Sequence, residues 1–153
     1  MTTMSTDRIE RQVVLRAPRS RVWRALTEPD QFGQWFGVKL ARPFVAGARV
    51  TGQPTKPEHE HIPFNLTIER MEPERLLAWR WHVVIDAESG RVSEPTTLVE
   101  FHLEDVDGGT LLTVTESGFD SMPPEYRDAA YRGNEGGWSQ QMASIERYLA
   151  EAA

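Results

Sequence analysis

The sequence predicts an α+β domain in which seven antiparallel strands form one sheet and a single late helix packs against one of its faces. Three observations carry this. A strand-like run over residues 8–16 leads into a helical corner ending at Trp35-Phe36. Strand-like sequence then runs to about Gly118, divided by turn residues. Finally, an amphipathic helix opens at Gly136-Gly137-Trp138 and continues towards the C-terminus.

In the first strand Ile9, Val13 and Leu15 alternate with Glu10, Gln12 and Arg16, giving one wet face. Pro18 suits the first turn of a helix whose apolar stripe is Val22, Trp23, Ala25 and Leu26. Glu28-Pro29 interrupts it, and a second short helix carries Phe32, Trp35 and Phe36 before Gly37 stops it. A DNA-reading second helix would be polar; Gln31-Phe32-Gly33-Gln34-Trp35-Phe36 is too aromatic for that role. Further strands are predicted over 38–42, 47–53, 62–72, 75–85, 96–105 and 110–118, with Glu88-Ser89-Gly90 and Asp107-Gly108-Gly109 as hairpin turns. Residues 120–133 read as a connector or lid with a helical turn near 124–131. In the last helix Trp138, Gln141 or Met142, Ile145 and Leu149 share a face, and Asn134 is the expected N-cap. Gly136-Gly137 costs about 1 kcal/mol per residue in helix propensity. The cost makes sense if the first turn lies close against the sheet or leaves room beside it.

The chain has 153 residues, enough for one domain with its own core. Residues 1–7 are expected as a disordered tail and 8–151 as the single domain. With no cysteine, disulfides and thiolate chemistry are excluded. The polar N-terminus is not a signal peptide and no apolar run is long enough to span a bilayer, so a cytoplasmic location without membrane insertion is expected. A net charge of −6 argues against nucleic acid as a partner.

Period-two reading assigns the sheet faces. Leu77, Trp79, Trp81 and Val83 align, as do Val99, Phe101 and Leu103, and Ile62, Phe64, Leu66 and Ile68. Glu116 breaks the pattern by sharing a face with Leu112 and Val114. A carboxylate there pairs with a buried cation, occupies a polar corner of a cavity, or escapes to solvent at the strand end. Five tryptophans in 153 residues is a high number; Trp79, Trp81 and Trp138 either fill an aromatic core or line a pocket, since small-molecule pockets favour aromatic walls. Two histidines in Glu58-His59-Glu60-His61 lack a third donor, so no metal is expected. Neither a nucleophile elbow nor a phosphate-binding glycine loop is present, and no catalytic residue is assigned.

Taken in order, Ala17-Pro18-x-x-x-Val22-Trp23-x-Ala25-Leu26-Thr27, Trp35-Phe36, Glu74-Arg75-Leu76-Leu77-x-Trp79, Leu112 to Phe119 and Gly137-Trp138 resemble the START/Bet v 1-like (SRPBCC) superfamily. Within it the chain resembles the branch named after the C-terminal domain of the activator of Hsp90 ATPase. The resemblance implies a helix-grip fold: a curved seven-stranded antiparallel sheet around a long C-terminal helix, with two short helices after the first strand. It implies binding of a hydrophobic or aromatic small molecule between sheet and helix. Trp35, Phe36, Phe64, Trp79 and Trp81 are then expected at the cavity border. So are Phe101, Glu116, Trp138, Met142 and Ile145. Close relatives are sometimes labelled aromatic-demethylase components, but the chain carries no flavin, iron–sulfur or nicotinamide motif, so no cofactor is expected.

Three functions compete. The first is a small-molecule container with Glu116 as polar anchor. The second is a protein-interaction or chaperone-related domain, or a homodimer, which predicts a filled core and an apolar surface patch. The third is a hydrolase or cyclase using Glu116 as acid or base.

Overall fold

The computed structural model describes residues 7–151. Of the expected tail, residues 1–6 lie outside the described residues, whereas Asp7 is held: its Oδ1 accepts from the Gly118 and Asp120 amides at 3.2 and 3.1 Å.

The chain order is β1 (Arg8–Leu15), α1 (Arg19–Thr27), α2 (Pro29–Phe36), β2 (Val38–Leu40), β3 (Arg49–Pro54), β4 (Phe64–Glu72), β5 (Leu76–Asp86), β6 (Arg91–Val106), β7 (Gly109–Ser117) and α3 (Pro124–Glu151). The strands form one curved antiparallel sheet in the order β1-β7-β6-β5-β4-β3-β2. From β2 to β7 it is a meander. The first strand joins the far edge beside β7, pairing Ile9 with Glu116. The α1–α2 corner carries the chain from β1 at this edge of the sheet across to β2 at the other. Gly37 ends α2 in the left-handed region at φ 89°, where a side chain would be strained.

Two elements are longer than the sequence predicts. The sixth strand starts at Arg91, upstream of Pro95. Between the pairs His82↔Thr96 and Val84↔Val92 the register shifts, so Pro95 sits in a bulge and its missing N–H breaks no ladder. Ser93 substitutes there, its Oγ accepting from the Val83 amide at 3.0 Å and donating to the Pro95 carbonyl at 2.7 Å. Likewise, α3 is one 28-residue helix that begins at Pro124, ten residues before the predicted cap. Asn134 therefore lies inside the helix, and the expected connector is largely its first turns.

The core fills much of the space between sheet and α3. From α3 it takes Ala130, Trp138, Met142, Ile145 and Leu149; from the sheet it takes Ile9, Leu66, Ile68, Leu77, Trp79, Val99, Phe101, Leu112 and Val114. The helix also completes α2. The last carbonyls of any helix lack internal donors, and here Gln141 Nε2 donates to the Phe36 carbonyl (3.0 Å) while Ser144 Oγ donates to that of Trp35 (2.5 Å). Trp35 is fixed from its other end by Nε1 donating to the Ala25 carbonyl at 2.7 Å.

Candidate functional site

Glu116 is fully buried on the inner face of β7, between Ile9 and Val99 on the neighbouring strands. The escape to solvent open to a strand-end residue does not occur, nor does a buried cation meet it. Instead four side chains donate to it. Oε1 accepts from Trp138 Nε1 at 2.7 Å and Asn134 Nδ2 at 2.8 Å. Oε2 accepts from Thr97 Oγ1 at 2.5 Å, Trp81 Nε1 at 2.8 Å and Asn134 Nδ2 at 3.0 Å. A carboxylate offers about four lone-pair sites, and protein donors occupy them. The group is tolerated in the core because its hydrogen bonds are complete.

This node ties three further elements to β7. Trp81 comes from β5, Thr97 from β6, where it is paired with Trp81 across the ladder, and Asn134 and Trp138 from α3. Residues 134 and 138 are one turn apart and so share a helix face. Thr97 and Asn134 are the members that sequence reading missed. Both had a signal: Thr97 continues the inward series Val99, Phe101, Leu103, and Asn134 stands four residues before Trp138.

Above the node lie two cavities. The first, about 130 Å³, is lined by Phe36, Trp81, Asn134, Gly137, Trp138, Gln140 and Gln141. The second, about 180 Å³, is lined by Phe36, Pro54, residues 62–65, Trp81 to Val84 and Asn134. Phe36, Trp81 and Asn134 belong to both and form the partition. No lysine or arginine lines either one.

Of the ten residues expected at a cavity border, Phe36, Phe64, Trp81 and Trp138 line these spaces. Trp35, Trp79, Phe101, Met142 and Ile145 are buried in the core and line neither. Glu116 lies behind the wall, bonded to the residues that form it. Trp79 is packed by Phe32 (5.6 Å between ring centroids, edge to face), Phe44 (6.1 Å) and Phe101 (4.9 Å). Among the described residues its Nε1 is the buried side-chain polar atom without a hydrogen-bond partner.

The glycines of α3 answer the question raised by their cost. A Cβ built at Gly133, Gly136 or Gly137 meets nothing within 4 Å. Close approach to the sheet is therefore not their purpose. Gly137 lines the first cavity, where the absent side chain leaves space. The Glu58–His61 segment forms a tight turn, and His61 Nε2 is hydrogen-bonded to the Ala87 carbonyl at 2.8 Å. Among the described residues no group of three or more potential ligands could hold a metal ion.

Comparison with known proteins agrees with this architecture. Residues 16–150 match the family described as Activator of Hsp90 ATPase homolog 1-like protein. No curated protein matches the chain. Among solved structures, DynU16, a protein of the dynemicin biosynthetic locus, is 26% identical with a TM-score of 0.72 over 94% of this chain. The match covers 47% of DynU16, so the chain spans about half its length. MLL2253 from Mesorhizobium loti is 24% identical, with a TM-score of 0.73 over 95% of this chain and 98% of that one. The Aha1 dimer from Colwellia psychrerythraea has the same fold at 16% identity, with a TM-score of 0.70 over 93% of this chain and 95% of its own. With the match covering nearly all of the folded chain, the protein belongs to the Activator of Hsp90 ATPase homolog 1-like family of the START/Bet v 1-like superfamily.

Proposed function

We propose that the protein binds a small hydrophobic or aromatic molecule between α3 and the sheet, at the site of the two partitioned cavities. The observation that carries this reading is the partition itself. Each space alone is smaller than the roughly 300 Å³ at which small-molecule pockets begin. Phe36 and Trp81 are only partly buried, so a ligand that displaces Phe36 joins the two spaces into one of about that size. Its walls would be Phe36, Phe64, Trp81 and Trp138, which suits a flat ring of one or two cycles.

The other readings find less support. Among the described residues the exposed large hydrophobics are Val14, on β1, and Val45, in the loop between β2 and β3, too few for an apolar docking patch. An acid–base role for Glu116 needs a lone pair free for substrate, and its lone pairs are engaged.

The test is a titration with 2-methylnaphthalene, followed through the indole N–H signals in ¹⁵N NMR spectra. Saturable shifts at Trp81 and Trp138, with Trp79 little changed, are the expected outcome. Unmoved indole signals up to the solubility limit would reject the container reading.

A further inference from the structure

We propose that this site selects neutral aromatic molecules bearing an O–H or N–H donor, and that Glu116 sets the preference by fixing the amide of Asn134. The inference rests on the container reading and names the ligand class it would take.

The argument begins with Asn134. Its amide is one donor group and one acceptor group on opposite sides of the same carbon. Glu116 is acceptor on both oxygens, and Asn134 Nδ2 reaches both, at 2.8 and 3.0 Å. Turning the amide over would bring Oδ1 against the same two oxygens, an acceptor facing acceptors. The orientation follows from the bonding pattern, so Oδ1 is left on the side away from Glu116. That oxygen has no protein donor and is not among the buried atoms lacking a partner, so it is accessible. Asn134 lines both cavities, which makes its carbonyl the acceptor a ligand meets at the partition.

Gln141 repeats the arrangement. It lies seven residues on, hence on the same helix face roughly 10 Å away, and it lines the first cavity. Its Nε2 is committed to the Phe36 carbonyl at 3.0 Å, which leaves Oε1 as a second acceptor without a protein partner. Gly137 between them keeps the floor clear. The indole N–H groups of Trp81 and Trp138 are already engaged, both by Glu116, while Gln140 in the first cavity and Asn65 in the second carry amides that can donate or accept. His82, lining the second cavity, has its Nδ1 engaged by the Ser93 carbonyl at 2.7 Å. From α3 the site thus presents the acceptors of Asn134 and Gln141, and no lysine or arginine lines either cavity to balance an anion. A carboxylate ligand would be desolvated without a counter-charge.

Three naphthalenes of similar shape separate the possibilities: 2-naphthol, 2-methylnaphthalene and 2-naphthoate, titrated by calorimetry. The naphthol is expected to bind roughly three- to tenfold more tightly than the methyl compound, the value of one net hydrogen bond. The naphthoate is expected to bind most weakly of the three. In Asn134→Ala the naphthol-to-methylnaphthalene ratio should fall to about one. Alanine is the better helix former, and circular dichroism with a thermal melt certifies the fold of the variant. In Glu116→Gln the introduced amide can donate to Asn134 Oδ1, and the same ratio should drop, a change in selectivity that lost packing alone would not produce. Equal affinity for naphthol and methylnaphthalene in the native protein, or tightest binding of the naphthoate, would overturn the inference while the container stands. An unchanged ratio in Asn134→Ala would also overturn it. Absence of binding by all three would remove the container reading and the inference with it.

Discussion

Trp79 and Trp81 stand two residues apart on the inner face of β5, with ring centroids 5.7 Å apart, and their surroundings are opposite in kind. Around Trp79 the space is filled by Phe32, Phe44 and Phe101, the ring is wholly buried, and its N–H has no hydrogen-bond acceptor. Around Trp81 the ring is partly exposed, its N–H is bound to Glu116, and cavities remain on both sides of it. Identical residues at identical strand phase therefore become core in one place and cavity wall in the next. What differs is the facing layer. Trp79 is covered by Phe32 of α2 and by Phe44, whereas beside Trp81 α3 supplies Asn134 and Gly137 and leaves room. Apolar packing tolerates one unbonded indole among rings; an interface that retains space is held in shape by a bonded polar node instead.

The largest expected effect tests that contrast directly. Trp79→Ala should destabilise the protein by about 3–5 kcal/mol, the usual range for removing a fully buried large aromatic. Trp81→Ala should cost clearly less, since its ring is only partly buried and water can reach the opened site. Urea denaturation of the two variants measures this, and equal losses would erase the distinction between core and wall.

A smaller pair of changes separates space from stability. Gly136→Ala and Gly137→Ala should each stabilise the helix by about 0.8–1 kcal/mol, because neither new methyl meets an atom within 4 Å. Only Gly137 lines the cavity, so only Gly137→Ala should also weaken binding of 2-methylnaphthalene. Thermal melts and calorimetry together decide it. A matching loss of affinity in Gly136→Ala would mean that helix flexibility, rather than cavity volume, governs entry.

The smallest effect belongs to the wet face, where charge rather than packing acts. The Glu72 carboxyl is held below its ordinary 4.5, chiefly by the hydrogen bond from Arg75 and further by Arg70. A carboxyl depressed on folding contributes stability above about pH 4.5 and loses it as the pH falls through its lowered midpoint. Arg75→Ala should move the Glu72 midpoint upward towards 4.5 in a ¹³C carboxyl titration and leave stability at pH 7 nearly unchanged, as exposed pairs do. No upward movement would show that Arg70 alone holds the group.

Much of this architecture is legible before any coordinates. Alternation placed Leu77, Trp79, Val83, Val99, Phe101, Leu103, Leu112 and Val114 on the inner face, and all are buried there. Turn residues located the hairpins, and Pro18, Pro29 and Gly37 bounded the helical corner. The misread boundaries have local causes. Pro95 reads as a strand break unless a bulge receives it, and Asn134 reads as a cap because glycines follow it. The site was less legible. Period two identified Glu116 as anomalous, but the identity of its partners depends on β5, β6, β7 and α3 meeting at one point.

By itself, then, the sequence determined the elements, their order and which faces turn inward, because those follow from local periodicity and turn chemistry, which act over a few residues. Tertiary structure decided which inward aromatics are packed solid and which border space, and that Glu116 is bonded to neutral donors rather than to a cation. Both outcomes depend on volumes and distances between side chains far apart in the chain. Glu116 and Asn134, whose contact fixes the one acceptor shared by both cavities, are brought together only when α3 closes over the sheet.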